Sequence, residues 1–355
     1  MKKFLVFVLV LGLIFSFAAC KPAEEEKAEA PVAVDKTEEK VADATEAPAE
    51  EMEPVYFRLA ETHPADYPTN KGNLEFARLV KEKTNGRVII EVYDSAQLGE
   101  EVDVIEQVQF GAIDFMRVSL GPLAEFSPQL NVLSLPYIYA SSDHMWTVLN
   151  SEIGDDMLAS IYDAGFIGLG WFDGGARSFY NSVRPIESLD DISGLKFRVM
   201  QNDMFIDMCE ALGAVATPMP YGEVYSAIQT GVIDGAENNW PSYDTSSHFE
   251  VAQYYTLDEH LRVPEILVAS KAIEDKVTPE ELELIKEAAK EAQSYQIELW
   301  QAKEKESEDK IVAAGNIITY LTPEEKQKFA DCMAPVYEKY ASEYMDIIEA
   351  IQAMK

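Results

Sequence analysis

From Val55 onward the chain alternates between two periodicities, and this alternation constrains its fold more than any other feature. VYFRLA (Val55–Ala60), RVIIEVY and AIDFMRVS carry β-branched and aromatic residues at strand spacing. Between them, residues 70–83 place Leu74, Ala77 and Val80 on one helical face and stop at Asn85-Gly86. Residues 101–110 form a second helical stretch, ended by Gly111. Strand and helix in alternation predict an α/β body with a largely parallel sheet. LNVLSLPYIY and GFIGLGWF read as further buried strands, with helices at 143–149 and 153–163 between them.

A second α/β set follows Gly174-Gly175. It has strands in ARSFYNS, LKFRV, AVATPM and VIDGAE, and helices at 203–212 and 221–230. LRVPEILVAS reads as one long strand running back to the first set. Pro279–Ala314 is a single long helical stretch, and 323–353 is read as another. Helices of that length exceed the usual globular mean and suit a spine between two lobes. The expected division is one lobe at 55–174, to which 264–303 returns, and a second at 175–263 with the C-terminal helices 304–355.

The first twenty residues have targeting character. Lys2 and Lys3 precede an apolar run from Phe4 to Phe17, and Ala18-Ala19-Cys20 closes it, so 1–20 reads as a signal peptide. The run is short for a bilayer span. Its end resembles a bacterial lipoprotein signal, which implies lipid attachment at Cys20. Residues 21–54 lack aromatics and are rich in Glu, Ala, Pro and Lys, the composition of a disordered acidic tether. As a flexible coil it reaches about 30 Å. A net charge of −34 over 355 residues excludes nucleic acid as a partner, because phosphate is repelled. Small anions held by local arginines remain compatible with it.

No catalytic constellation is legible. The histidines are His63, His144, His248 and His260, and none has metal-ligand spacing. Asp258-Glu259-His260 reads as a polar loop. There is no GxSxG turn and no GxxxxGK[ST] loop, and GLGWFDG fails the dinucleotide pattern. No enzyme activity, cofactor or metal is expected. Cys209 and Cys332 read as buried free thiols, with a disulfide between them as the alternative.

Binding signals are stronger. In GLKFRVMQNDM, Arg198 sits where a strand ends and the helix signal Asn202-Asp203 begins, the place where α/β sheets hold ligands. Arg177 follows a double glycine in GGARSFYN, and Asn238 and Asn239 follow a strand in IDGAENNW. Arg117 and Ser119 share one side of AIDFMRVS. Met200 neighbours Arg198, and Tyr221, Tyr225 and Trp240 are candidate aromatic contacts. Together these positions predict a polar, arginine-lined cleft.

The segment GLKFRVMQNDMFIDMCEALGAVATPMPYGEVYSAIQTGVIDGAENN resembles the central signature of the substrate-binding proteins of TRAP (tripartite ATP-independent periplasmic) transporters. EFARLVKEKTNGRVIIEVYDSAQLGEE, IEQVQFGAIDF and LPYIY match in the same order. The resemblance implies a two-lobed, periplasmic-binding-protein-like α/β fold with a long helix spanning both lobes and a cleft for an organic acid. It also implies an extracytoplasmic location and a sodium-driven membrane partner with a small and a large subunit. By the same resemblance Arg198 pairs with a ligand carboxylate, Arg177 is the second arginine, and Asn238 and Tyr221 line the cleft. Glu61 and His63 in the ETHPADYP stretch are candidate first-lobe contacts. Ser119 stands where sialic-acid-binding members carry glutamate, so sialic acid is not expected. ARSFYNS, RVMQNDMF, PMPYGEVY and GAENNW are most similar to uronate-binding members, which implies glucuronate or galacturonate. Gln201 would then join Arg177, Asn238 and Asn239 on the hydroxyls, and Trp240 would cover a sugar face. The rivals are a C4-dicarboxylate, with Arg177 or Arg117 on its second carboxylate, and a ligand-sensing scaffold.

Overall fold

The computed structural model describes residues 53–355. The predicted signal peptide, Cys20 and all but the end of the predicted tether lie outside the described residues.

Eleven strands follow one another among the described residues. They are β1 (Val55–Ala60), β2 (Val88–Tyr93), β3 (Phe115–Ser119), β4 (Phe166–Phe172), β5 (Ala176–Asn181), β6 (Lys196–Val199), β7 (Val215–Pro218), β8 (Gly235–Asn238), β9 (Tyr254–Arg262), β10 (Glu265–Ser270) and β11 (Ile317–Tyr320). They form two sheets, ordered β2-β1-β3-β10-β4 and β11-β9-β5-β8-β6-β7. Both are mixed where a largely parallel sheet was expected. β10 runs antiparallel to both its neighbours, and so does β5. These are the strands by which the chain enters each sheet from the other, which reverses their sense.

The chain passes between sheets at Asp173-Gly174-Gly175 and again at Val263-Pro264. The expected single strand LRVPEILVAS is therefore two strands in different sheets. Pro264 lacks a ladder N–H and restricts Val263, so the pairing breaks there. At the first crossing Gly175 has φ +65°, and a Cβ there would lie 2.8 Å from Trp300 Nε1, so both backbone and space require glycine. Asp258 and His260 belong to β9 and are buried, which corrects the polar-loop reading.

The helix Pro279–Ala314 runs without a break for 36 residues, about 54 Å at 1.5 Å per residue. Thr278 and Glu281 form a capping box, Pro279 opens the first turn, and Gly315 at φ 88° ends it. Its Ile285, Ala288, Ala289 and Ala292 pack in the first-sheet core, while Ile311 packs with Tyr180, Tyr243 and Tyr255 under the second. It spans both lobes, and none of the described helices is long and apolar enough to cross a membrane.

Three further expectations are corrected. Pro128–Ser134 is a 3-10 helix where a strand was read; Leu130, Val132 and Leu133 are buried on all sides, so periodicity could not separate the two. Residues 323–353 form three helices, Pro323–Asp331, Ala334–Ala341 and Met345–Ala353; Pro335 accounts for the first break, because it cannot continue a helix through its own position. Cys209 is a buried thiol as read, but Cys332 is only half-buried; both are free.

Candidate functional site

Between the two sheets lies a polar cavity with about 350 Å³ of space free of protein atoms, part of it open to solvent. It sits at the carboxyl ends of β1, β3, β6 and β8, as expected for a crevice between open α/β sheets.

The first wall is built around Arg117. Alternation along β3 turns Arg117 and Ser119 the same way, and β10 supplies Glu265 opposite Ser119. Glu61 and His63 come from the chain just after β1, and Glu101 opens the helix Glu101–Gln109. Arg117 is fully buried. It donates to Glu61 Oε2 at 2.9 Å and to Glu61 Oε1, and its Nη1 reaches Glu101 Oε1 at 3.0 Å and Glu265 Oε2 at 2.8 Å. Nη2 also lies 2.7 Å from His63 Nδ1. Burial works against the Glu61 charge, yet Arg117 and His63 outweigh it and hold this carboxyl well below the usual range. Burial pushes the Glu265 carboxyl up, and the charge of Glu101 adds to that; Arg117, which it shares with two other carboxylates, offsets only part. The faces presented to the cavity are Thr62, His63, Glu101, Ser119 and Glu265.

The second wall carries two arginines in different states. Arg177, on β5, donates Nε to Glu237 Oε2 at 2.6 Å and Nη2 to Glu237 Oε1 at 2.9 Å, while Nη1 reaches Asn238 Oδ1 at 2.8 Å. Behind it, His260 Nδ1 lies 2.7 Å from Asp258 Oδ2, and His260 Nε2 lies 3.5 Å from Glu237, an ion-pair distance rather than a hydrogen bond. Burial opposes both charges in this row. Arg177 and His260 nevertheless bring Glu237 down to about 2, and Asp258 leads the interactions that raise His260 to about 9. The Asp258–His260–Glu237–Arg177 row is thus internally neutral.

Arg198, at the end of β6, is different. It is 5% exposed, and Nε donates to Met219 O at 2.9 Å. Its two Nη groups have no hydrogen-bond or carboxylate partner among the described residues. Burial lowers its pKa, the nearby Arg177 charge adds, and Glu237 only partly opposes. A guanidinium fork, always charged and left free in a buried cavity, is set to receive a planar anion. Beside it, Asn238 Oδ1 is occupied by Arg177 and by Asn239 N–H, which leaves the Nδ2 donor without a partner among the described residues. Asn239 Oδ1 accepts from Ser242 N at 2.8 Å, and Asn239 Nδ2 donates to Gly174 O at 2.9 Å, tying the wall to the first crossing.

The walls are closed on each other. Tyr67 Oη lies 2.8 Å from Ser242 Oγ and its ring stacks on His63 at 4.0 Å; His63 and Tyr221 are 5.2 Å apart across the cavity. Asn202 Nδ2 donates to Gly121 O at 2.8 Å at another edge.

The model for bacterial extracellular solute-binding proteins, family 7, matches residues 59–343. The chain belongs to this family. A solute-binding protein of Chromohalobacter salexigens is 44% identical over 285 residues, covering 80% of this chain and 84% of the relative. Among solved structures, a TRAP periplasmic solute-binding protein from Bradyrhizobium sp. BTAi1, in complex with α/β-D-galacturonate, aligns with a TM-score of 0.82 at 42% identity. It covers 84% of this chain and 100% of that one. One from Pseudomonas putida F1 with bound D-glucuronate aligns at 0.82 and 41%, covering 84% and 97%. The protein is thus a TRAP-type solute receptor, with the two-lobed fold that the resemblance implied.

Of the site residues read from the receptor's sequence, the fold brings Arg198, Arg177, Asn238, Asn239, Met200, Tyr221, Ser119 and His63 to the cavity. It withholds four. Arg117 and Glu61 lie behind the wall, with every Arg117 nitrogen taken, so Arg117 has no donor for a second ligand carboxylate. Gln201 faces a separate depression beside Glu125 and Asn202, because Arg198 and Met200 turn inward and their neighbour turns out. Trp240 stacks on Tyr255 with centroids 3.9 Å apart in the second-sheet core, so its ring covers no ligand face in the cavity. Tyr225 also lies outside the cavity and reaches only toward Glu250. The sequence reading missed Thr62, Glu101, Ser242 and Glu265. In so acidic a chain a lone glutamate carries no signal, and Glu265 was hidden inside a strand read as continuous.

Proposed function

We propose that this receptor binds a hexuronate, glucuronate or galacturonate, and performs no chemistry on it. The observation that carries the reading is the free, buried fork of Arg198 in a cavity whose other walls are hydrogen-bonding groups. The ligand carboxylate would pair with Arg198 through two charge-assisted hydrogen bonds. Asn238 Nδ2 and the hydroxyls of Ser119, Tyr221 and Ser242 would serve the sugar hydroxyls, which need donors and acceptors together. The relatives that hold galacturonate and glucuronate support the same class. Entry requires the lobes to part, with the crossings at 173–175 and 263–264 as hinges and the long helix as the spine. The loaded receptor would then deliver its ligand to a membrane permease of small and large subunits.

The test is a thermal-shift panel of glucuronate, galacturonate, succinate, malate and sialic acid. A uronate at ~100 times its dissociation constant should stabilise by ~2.7 kcal/mol. A large shift with succinate or malate and none with either uronate would replace the uronate reading by a C4-dicarboxylate one.

The reading also places the receptor on a membrane through lipid on Cys20. Cys20→Ala should move the protein from the membrane fraction to the soluble one, since several acyl chains on one residue anchor stably. A wild-type protein that is already fully soluble in its native host would refute the anchor.

A further inference from the structure

The two walls of the cavity carry opposite net charge. On the second wall the Asp258–His260–Glu237–Arg177 row cancels, and Arg198 remains as one uncompensated cation. On the first wall one guanidinium, Arg117, faces three carboxylates, those of Glu61, Glu101 and Glu265. That cluster sets three carboxylates against a single guanidinium. Glu61 is spent on Arg117, Asn73 and His63 behind the wall. Glu101 and Glu265 reach the cavity itself. Glu101 uses Oε1 for Arg117 and the Ser119 N–H, and its Oε2 has no partner among the described residues. Glu265 Oε1 has no partner among the described residues except the Ser119 hydroxyl at 3.1 Å, whose single proton is also within reach of Glu265 Oε2 at 3.0 Å and Glu101 Oε1 at 3.3 Å. The cavity therefore has a cationic donor end and an anionic acceptor end.

We infer that Glu101 and Glu265 are specificity-determining residues: they accept hydrogen bonds from the hydroxyls at the far end of the ligand and repel a second carboxylate there, so that the receptor takes polyhydroxy monocarboxylates and rejects diacids of similar size. The inference rests on the uronate reading of the site and goes beyond it by assigning what excludes the neighbouring ligand class. A hexuronate offers one carboxylate to Arg198 and hydroxyl donors to the carboxylates opposite. The corresponding hexarate, oxidised at C1 as well, brings a second anion toward groups that already share one cation. Like charges set against each other at a buried site discriminate more strongly than a missing contact does.

The experiment is calorimetric titration of the whole protein with galacturonate and with galactarate. Wild type should bind galacturonate at least tenfold more tightly than galactarate. Glu265→Gln and Glu101→Gln keep side-chain size and remove the charge, so each should weaken galacturonate and shrink the galacturonate-to-galactarate ratio by tenfold or more. The variants matter because the open-chain shape of galactarate also lowers its affinity, and a change to glutamine leaves that contribution unaltered. Circular dichroism checks folding, and if Glu265→Gln does not fold, Glu101→Gln decides alone. Wild type that binds the two ligands within tenfold, or variants that bind galacturonate with an unchanged ratio, overturn the inference and leave the uronate reading standing. Failure of wild type to bind any uronate while it binds succinate overturns the uronate reading, and the inference with it.

Discussion

Arg198→Ala leaves the fold intact and weakens uronate binding by at least about 3 kcal/mol, more than a hundredfold. The fold survives because Arg198 holds little else in place: among the described residues its one side-chain hydrogen bond is to Met219 O. Binding suffers because the ligand carboxylate, desolvated in a closed cavity, loses the cation that no protein carboxylate neutralises. Arg198→Lys loses a large part of the same affinity, since an ammonium is a point charge and cannot fork onto both carboxylate oxygens. Calorimetry on the two variants, with circular dichroism as the folding control, provides the check. Near-normal affinity in the alanine variant would remove Arg198 from the site and require another home for the carboxylate.

The second large effect falls on stability. Arg117→Ala should cost about 3–5 kcal/mol of folding free energy at pH 7, because Glu61, Glu101 and Glu265 are left facing one another in the interior. The sign of the pH dependence distinguishes this from a simple cavity. In the wild type the folded Glu61 carboxyl lies below its ordinary value of 4.5. Its contribution is therefore fully present above that value and is lost as pH falls toward the folded one. Glu237 behaves in the same way, and its contribution is lost between about 4.5 and about 2. In Arg117→Ala the three carboxylates raise each other, so the penalty is greatest at neutral pH and shrinks as they protonate. Denaturant unfolding at pH 7 and pH 5 should show the variant closer to wild type at the lower pH. A deficit that does not change with pH would mean lost packing alone, and no deficit at pH 7 would mean that the cluster does not hold the wall.

His260 acts in the opposite sense. Raised to about 9 in the fold, it contributes stability that is fully present below its ordinary value of 6.5 and is lost as pH rises through about 9. The contributions of Glu237 and His260 are both fully present between about pH 4.5 and 6.5.

The alternation of strand and helix was legible because hydrophobic period is local. The helix Pro279–Ala314 was legible to its last residue because proline at the start and glycine at the end are local signals too. Arg198 was visible for the same reason: a strand pattern, an arginine and a helix start follow one another within eleven residues of sequence, Gly194 to Met204. What the sequence could not disclose was which charges find each other. Arg117 meets Glu61 across 56 positions and Glu265 across 148, and nothing near Arg117 in the chain distinguishes this paired guanidinium from the free one of Arg198. The same distance hid the break at Val263-Pro264, whose two strands look continuous until each is given its sheet. By itself the sequence determined most of the strands and helices, the family, and Arg198 as a candidate for the ligand. Only the tertiary structure decided that Arg117 is neutralised, that Trp240 and Gln201 face away, and that Glu101 and Glu265 form the opposing wall. The physical reason is that backbone periodicity is set by neighbours along the chain, whereas the state of a buried charge is set by partners that only folding brings within about 4 Å of it.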